Sequence, residues 1–287
     1  IEQAGVHSGD SACSIPPYDI SESVIIKIKE EVNKVISNMK IVGLVNVQLA
    51  YVNDQVYLLE VNPRASRTIP FVSKALGIPL ARIAARVMAG KSLKELNFKG
   101  VPNIKGFCVK EAVMPFNKFQ NVDPILGPEM RSTGEVMGIG DTFAEAFEKA
   151  EVAAGVEIPK TGSVFISVRD TDKQFLSEII PSLDKEGFNL IATKGTANVI
   201  KDMGYKVMQI KKVLEGRPNI IDLMKNKEVN LVINTTEGRE SIQDSASIRR
   251  TALDQKICCT TTIQGAKAIC EVLSKKVDWS YQKLQDS

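Results

Sequence analysis

Strand-like and helix-like segments alternate from residue 163 onward, and this alternation constrains the fold more than any other feature of the sequence. Helical segments lie between the strands, as residues 173–186 do. Strands separated by helices form parallel, doubly wound sheets, whose ligands bind at the carboxyl ends of the strands. Short apolar and β-branched runs predict five such strands, at residues 164–169, 189–193, 206–210, 230–235 and 256–261.

A short segment rich in helix and strand breakers precedes this alternation. Residues 155–162 include Gly155, Pro159 and Gly162. We interpret this segment as the start of a second domain, with one domain at residues 1–154 and the other at 155–287. A chain of 287 residues is long enough for two domains.

The first domain is expected to be of the α+β class. Apolar residues at helical spacing predict helices at 21–40, 80–89 and 141–154, and Ser21 is placed to cap the first of them. Residues 101–137 alternate short apolar runs with Pro and Gly, which predicts irregular strands and loops.

A β-hairpin is the most informative element of this domain. Residues 45–52 and 56–62 read as strands, and residues 53–55 between them predict a three-residue turn. A turn of that length would set Gln48 opposite Glu60. Asn62 lies two residues after Glu60 and therefore shares its face of the strand.

The side chains of the hairpin favour a metal–nucleotide site. One carboxylate and two amide oxygens are hard ligands that suit Mg²⁺. Two arginines, Arg64 and Arg67, follow directly, and the arginine side chain suits phosphate or carboxylate. A solvated polar face is the simpler reading of a Glu-x-Asn pair alone, but the whole set of residues favours the site.

Polar residues also follow several strands of the second domain. Thr193-Lys194-Gly195-Thr196 joins a strand to a helix, and such a turn can bind an anion through its glycine, its hydroxyls and the helix N-terminus. The alternative is an ordinary turn in which Thr196 caps the helix. Further polar residues at other strand ends, Lys212 and Asn234-Thr235-Thr236, favour a phosphate pocket.

Composition excludes several functional classes. The formal net charge is only +3, and no basic run with interleaved aromatics indicates nucleic-acid binding. No apolar stretch approaches the length of a membrane span. A single histidine makes histidine-based metal sites and Ser-His-Asp triads unattractive. The five cysteines lack Cys-x-x-Cys spacing. We expect Cys258 and Cys259 to be buried and reduced, as in a protein of the cytoplasm or of an organelle matrix, and we favour the cytoplasmic location.

Several long motifs resemble a known family of ligases. Residues 60–67, Glu-Val-Asn-Pro-Arg-Ala-Ser-Arg, are similar to the metal-binding segment of ATP-grasp ligases. With residues 68–75 they resemble the large chains of carbamoyl phosphate synthetases. The likeness covers essentially the whole chain and matches the C-terminal part of those proteins. Further matching runs lie at residues 5–11, 85–91 and 126–136.

The resemblance implies a partial ATP-grasp domain that phosphorylates carbamate to carbamoyl phosphate. It implies ATP and Mg²⁺ (or Mn²⁺) as cofactors, with Glu60 bridging metal ions and Gln48 and Asn62 completing the oxygen shell; Gln48 and Glu60 then also contribute to cofactor binding. Arg64 and Arg67 would be the catalytic residues, which stabilise the transferring phosphoryl group or carbamate. The loop that would lie along the nucleotide consists of Gly5, Val6, His7 and Ser8.

The second domain resembles the methylglyoxal-synthase-like regulatory domain of the same family, which binds allosteric effectors. The basic, hydroxyl-rich strand ends favour a nucleotide effector of the UMP or IMP type over N-acetylglutamate. Ser167 and Ser245 are weaker candidates for the effector site. By this resemblance the residues that hold an effector phosphate are Thr193, Thr196, Lys212, Asn234 and Thr236.

The chain opens within what resembles a fold, and we expect it to be a fragment that lacks the first half of an ATP-grasp site. The expected partners are the remainder of the large chain and a glutamine amidotransferase small subunit. The alternative function is a catalytically incomplete module that only binds effector. Methylglyoxal synthase activity itself is disfavoured, because residues 160–287 contain no histidine.

Overall fold

The structure, a computed structural model, describes residues 1–119 and 122–275. The chain forms two compact units. The first comprises Ile1–Cys13 and the chain from Val109 onward, and the second is Ser14–Cys108. The expected division at residues 154 and 155 remains a prediction.

Helices and strands occur in both units. The helices are α1 (Glu22–Ser37), α2 (Ile69–Leu76), α3 (Leu80–Met88), α4 (Phe143–Ala153), α5 (Leu176–Lys185), α6 (Lys194–Asp202), α7 (Ile220–Lys225), α8 (Arg239–Asp254) and α9 (Ile263–Lys275). The strands are β1 (Cys13–Ile15), β2 (Asn46–Val52), β3 (Gln55–Asn62), β4 (Phe107–Val113), β5 (Gly134–Gly140), β6 (Ser163–Ser167), β7 (Asn189–Thr193), β8 (Val207–Ile210), β9 (Leu231–Asn234) and β10 (Cys258–Thr260).

Local signals position the helices of the Ser14–Cys108 unit. The hydroxyl of Ser21 accepts a hydrogen bond from the N–H of Val24, so the predicted cap of α1 is confirmed. Helix α2, which the sequence analysis did not predict, ends at Gly77 with a φ of 65°, a left-handed conformation that glycine adopts without strain. Helix α3 ends just before Gly90.

The hairpin β2–β3 has a shorter turn than predicted. Only Asn53 and Asp54 lie between the strands, and both have positive φ angles, 49° and 59°. Two-residue turns of this kind match the right-handed twist of paired strands. The predicted three-residue turn is therefore wrong.

The predicted pairing of Gln48 with Glu60 is nevertheless present. Near the turn, Val52 pairs with Gln55 and Leu49 with Leu58. In that register Gln48 would face Leu59. The register shifts between Gln48 and Leu49, as in a β-bulge, so that Leu59 is the extra residue and Glu60 becomes the partner of Gln48.

The first unit contains the predicted doubly wound sheet. Its five strands are all parallel, in the order β10-β9-β6-β7-β8. The chain leaves β6 toward one edge through β7 and β8, then returns to the other side of β6 for β9 and β10. The order reverses between β6 and β9, which is where ligands bind in such sheets. The predicted fold of this part is confirmed.

Apolar side chains from the sheet and its helices form one core. Phe165 and Val232 on neighbouring strands are fully buried, and Ile220 and Met224 of α7 pack against the same cluster. Ile248 and Ala252 fix α8 there as well. The strand ends are thus held by a close-packed interior.

A smaller sheet has the order β1-β4-β5, and α4 packs against its strand β5. Two glycines make this close approach possible. A Cβ atom on Gly138 would lie 2.0 Å from the carbonyl oxygen of Ala146, and one on Gly140 would lie 2.8 Å from the N–H nitrogen of the same residue.

All five cysteines are free. Cys258 is buried, as predicted, whereas Cys259 is only half-buried. Among residues 1–119 and 122–275, no helix combines the length and apolar character that crossing a membrane requires.

Candidate functional site

The hairpin brings the three predicted metal ligands together. Gln48 and Glu60 are directly opposite each other across β2 and β3. The side-chain amide nitrogen of Asn62 donates a hydrogen bond to Glu60 Oε1 over 2.8 Å. This bond orients both side chains and leaves Asn62 Oδ1 and Glu60 Oε2 available on one surface.

The donor set of the hairpin fits Mg²⁺. It offers one carboxylate and two amide oxygens, which are the hard ligands that Mg²⁺ takes alongside water and substrate phosphates. In the part of the chain that the structure describes, no three His, Cys, Asp or Glu side chains are grouped as a metal site. The hairpin contributes only one side chain of these types, Glu60, alongside the amides of Gln48 and Asn62.

The two predicted catalytic arginines follow β3 in an exposed turn. The backbone N–H of Arg64 donates to the carbonyl of Asn62 over 2.8 Å, and its guanidinium Nη1 donates to the carbonyl of Ala65 over 3.1 Å. Arg67 is also exposed. Both side chains lie within five residues of the metal-ligand candidate Asn62.

The predicted nucleotide loop, Gly5–Ser8, belongs to the other unit. His7 Nδ1 accepts a hydrogen bond from the N–H of Gly9 over 3.0 Å, so the imidazole caps the short 3-10 helix Ser8–Asp10. The N–H of His7 donates to the carbonyl of Gly127 over 2.8 Å. Gly5 has a φ of 102°, a conformation that favours glycine.

Asp10 holds this loop in place, a role that the sequence analysis missed. Its side chain is almost fully buried, with 1% of its surface exposed. Its two carboxylate oxygens accept hydrogen bonds from the N–H groups of Arg131 (2.7 Å) and Ser132 (2.9 Å). Ser132 also donates its hydroxyl to the carbonyl of Gly9 over 3.1 Å. The loop is therefore preorganised by contacts more than 120 residues away in sequence.

Three half-buried carboxyls, those of Glu2, Glu111 and Glu151, lie in the same unit. Burial raises the pKa of Glu2, and burial together with the charge of Glu2 raises the pKa of Glu111 to about 7. Burial, then repulsion from Glu111 and Glu2, raises the pKa of Glu151 well above its usual range. Lys110, 1% exposed, opposes the shifts of Glu2 and Glu111. These carboxyls retain protons at a higher pH than solvated ones do.

The predicted effector residues converge at the carboxyl ends of three adjacent strands. Ser167 on β6 is in register with Asn234 on β9. Its hydroxyl lies 3.2 Å from that of Thr193, which ends β7. Thr193 and Asn234 are almost fully buried, whereas Thr236 is half-buried just beyond β9. This cluster lies beside the point where the strand order reverses.

One atom of this cluster has an unmet hydrogen-bonding requirement. Asn234 Nδ2 is buried and has no hydrogen-bond partner among residues 1–119 and 122–275. A buried donor without a partner is energetically costly. At the strand ends, this amide nitrogen is placed to donate a hydrogen bond to a ligand such as a phosphate.

Thr196 does not cap the following helix. Helix α6 begins at Lys194, directly after its N-cap residue Thr193. The hydroxyl of Thr196, which is buried, accepts a hydrogen bond from the N–H of Val168 over 3.3 Å. Thr196 therefore ties α6 to the end of β6, and the capping alternative is wrong.

Lysines surround the strand ends, and the sequence analysis missed one of them. Lys173 Nζ lies so close to Gly195 that a Cβ on that glycine would be 3.2 Å from it. The hydrogen bond from Lys173 lowers the pKa of Asp170, and the charge of Lys212 lowers it further. Lys212 itself is exposed, and Ser245 lies half-buried on α8. Lys173 lies six residues after the end of β6, within the short 3-10 helix Asp170–Phe175, so the strand-end pattern that marks Lys194 does not mark it.

Two family models match the chain. Residues 2–96 match the model described as "Carbamoyl-phosphate synthase L chain, ATP binding domain". Residues 176–261 match the MGS-like domain. The first matched segment contains the hairpin, and the second contains the strand-end cluster apart from Ser167.

The chain is also similar to curated proteins over its whole length. It is 57% identical over 288 residues to the carbamoyl phosphate synthase large chain of Pseudomonas syringae pv. tomato, covering 100% of this chain and 27% of that protein. The corresponding protein of Pasteurella multocida is 53% identical over 287 residues, with the same coverage. The chain thus spans about a quarter of the length of these relatives. A solved methylglyoxal synthase from Elizabethkingia anophelis is 20% identical over 39% of this chain and 79% of its own, and its TM-score of 0.34 supports no argument.

Proposed function

Because the chain belongs to the carbamoyl phosphate synthase large-chain family, we propose that it contributes part of the active site that phosphorylates carbamate to carbamoyl phosphate. The proposed reaction uses ATP and is that of the complete large chain, and this chain covers about a quarter of the length of such relatives. The expected partners are the rest of the large chain and a glutamine amidotransferase small subunit, in arginine and pyrimidine biosynthesis.

The observation that carries this proposal is the pairing of Gln48 with Glu60. With Asn62 hydrogen-bonded to the same carboxylate, it concentrates three oxygen ligands on one strand pair. Bulges re-aim side chains and are frequent next to functional sites, and this one places the Glu60 carboxylate opposite the Gln48 amide.

The chain's own residues have separate roles in this proposal. Glu60, Gln48 and Asn62 hold Mg²⁺ or Mn²⁺, which supplies charge neutralisation of the ATP phosphates when bound. Arg64 and Arg67 stabilise negative charge on the transferring phosphoryl group or on carbamate. Because phosphoryl transfer depends on positioning and electrostatics, no protein nucleophile is required.

Nucleotide binding is assigned to the loop Gly5–Ser8 in the same proposal. Glycine at position 5 allows a close backbone approach, and the Asp10 contacts keep the loop ordered before ligand arrives. A preorganised loop loses less conformational entropy on binding. His7 serves as a structural cap and is given no role as a general base.

The second part of the proposal concerns regulation. The strand-end cluster binds the phosphate of a nucleotide effector of the UMP or IMP type, through Thr193, Thr196, Lys212, Asn234 and Thr236. The unpartnered amide of Asn234 supports this assignment most directly. If the chain acts alone, effector binding without catalysis is the function that remains to it.

Isothermal titration of the chain separates the two functions. We expect UMP or IMP to bind with a stoichiometry near one and MgATP to bind weakly, because the chain spans only a quarter of its relatives. Lys212→Ala should weaken the binding of the nucleotide monophosphate and leave any binding signal for MgATP unchanged. Equal loss of both signals in this variant would contradict the assignment of two separate sites.

A further inference from the structure

An ion pair between a buried arginine and a half-buried aspartate joins α8 to the segment that precedes Arg131. Arg249 on α8 is 1% exposed and binds Asp123 in a bidentate manner. Its Nε donates to Asp123 Oδ1 over 2.7 Å, and its Nη2 donates to Oδ2 over 2.5 Å. The same Nη2 donates to the carbonyl of Ile242 over 2.7 Å. The guanidinium is thus fixed by two partners, the carboxylate of Asp123 and the carbonyl of Ile242.

The pair is strongly coupled. Burial raises the pKa of Asp123, but the hydrogen bonds and charge of Arg249 outweigh this effect and the net shift is downward. Bidentate arginine–carboxylate pairs fix geometry as well as charge. Removal of one partner from such a pair leaves a buried charge without compensation. The arrangement therefore tolerates little displacement of α8 relative to Asp123.

At its other end, the segment from Asp123 to Ser132 holds the loop Gly5–Ser8, hereafter the His7 loop. The carbonyl of Asp123 accepts a hydrogen bond from Arg131 Nη1 over 2.9 Å. The carbonyl of Gly127 accepts one from the N–H of His7 over 2.8 Å. The N–H of Arg131 donates to Asp10. Asp123 consequently contacts α8 through its carboxylate and the loop-holding segment through its carbonyl.

Helix α8 also connects to the strand-end cluster. It begins five residues after Asn234, the end of β9. Ile248, the neighbour of Arg249, packs with Val232 in the core of the sheet. A shift of β9 or its following turn would therefore be transmitted to Arg249 through a packed helix rather than a flexible linker.

We propose that Asp123 and Arg249 are positioning residues, through which α8 holds the His7 loop in the arrangement that binds ATP. Neither residue contacts the reacting atoms. The proposal rests on the proposed function in one respect, namely that the His7 loop lies along the nucleotide. It adds a defined physical connection between the effector domain and that loop.

The connection is tested first by hydrogen exchange on the 287-residue chain, which requires no assumption about function. Asp123→Asn keeps the shape of the side chain, Arg249→Met removes the charge, and Arg249→Lys keeps it. Arg250→Met is the matched control, because Arg250 is the exposed neighbour on the same helix. We expect the amide of His7 to exchange about tenfold faster in Asp123→Asn and Arg249→Met, with partial protection in Arg249→Lys.

The positioning role is tested in the complete synthetase. We expect Asp123→Asn and Arg249→Met to raise the KM for MgATP about tenfold with kcat within about twofold of wild type. The double variant should resemble either single variant, because each substitution removes the same contact between Asp123 and Arg249. Arg250→Met should match wild type in both assays.

The outcomes separate this inference from the proposed function. Unchanged exchange at His7 would refute the connection. Faster exchange with an unchanged KM for MgATP, in an enzyme that forms carbamoyl phosphate, would refute the positioning role. A complete wild-type protein that does not use ATP would refute the proposed function, whatever the exchange data show.

Discussion

Gln48 pairs with Glu60 one residue out of the register that the Asn53-Asp54 turn alone would impose. The bulge adds one residue, Leu59, to β3, and this shift of one position brings Glu60 opposite Gln48. Bulges re-aim side chains and are frequent next to functional sites. Here the bulge turns an ordinary hairpin into one that aligns a carboxylate with an amide, which is the arrangement from which the metal assignment follows.

Removal of the Lys212 charge should separate regulation from catalysis. In the complete protein, Lys212→Ala should weaken the response to a nucleotide monophosphate about tenfold or more, while the basal rate is unchanged. Because Lys212 is exposed, the folded chain should tolerate the change. The measurement is carbamoyl phosphate formation against effector concentration. Lys201→Ala, on the exposed side of α6, is the control, and an equal effect there would count against a specific phosphate contact.

Thr196 is a poorer probe of the same site. Its hydroxyl accepts a hydrogen bond from the N–H of Val168. Thr196→Ala should therefore also lower the free energy of unfolding by about 1 kcal/mol. We expect a lower urea midpoint in addition to weaker effector binding. An unchanged midpoint would show that the Val168 contact contributes nothing to stability.

Asp10 should be essential for the order of the His7 loop. Asp10→Ala leaves the N–H groups of Arg131 and Ser132 without their acceptors, and we expect a loss of about 2–4 kcal/mol in the free energy of unfolding. Urea denaturation provides the measurement, and Asp141→Ala, an exposed residue of the same unit, is the control. Comparable stability of the two variants would show that the hydrogen bonds of Asp10 do not stabilise the loop.

The pKa of Glu111 implies a stability that falls with pH. Burial raises this pKa from 4.5 to about 7, so between these values the folded protein retains a proton that the unfolded protein releases. Stability must therefore fall as pH rises from about 4.5 to about 7. Glu111→Gln stays neutral and should be more stable than wild type at pH 8, by up to about 3 kcal/mol.

The control for this prediction is the same comparison at pH 5, where the difference between Glu111→Gln and wild type should fall to below about 1 kcal/mol. Glu157→Gln, an exposed glutamate, should have little effect at either pH. A gain in stability of equal size at pH 5 and pH 8 would show that packing, not ionisation, is responsible.

Local patterns account for what could be predicted. The strand–helix alternation after Gly162 predicted five strands, and each lies within two residues of its expected ends. The facing pair Gln48 and Glu60 was also predicted, although for the wrong reason. A three-residue turn and a two-residue turn with a bulge produce the same pairing, and nothing in Leu58-Leu59 marks a bulge.

Long-range contacts could not be predicted. Asp10 reaches Arg131, and Arg249 reaches Asp123, across more than 120 residues of sequence. Glu2, Glu111 and Glu151 are polar residues that look solvated in isolation, and only the folded chain shows that they share a buried environment. Single-sequence patterns report periodicity and turns, whereas these pairings depend on how the elements pack.

We propose that Glu60, with Gln48 and Asn62, would hold the metal ion that ATP requires. The most direct test is carbamoyl phosphate formation by the complete protein carrying Glu60→Gln, with Glu22→Gln on the exposed start of α1 as control. We predict that turnover falls at least about a hundredfold for Glu60→Gln, that UMP or IMP still binds with wild-type affinity, and that Glu22→Gln behaves as wild type. Near-normal turnover in Glu60→Gln would contradict the account.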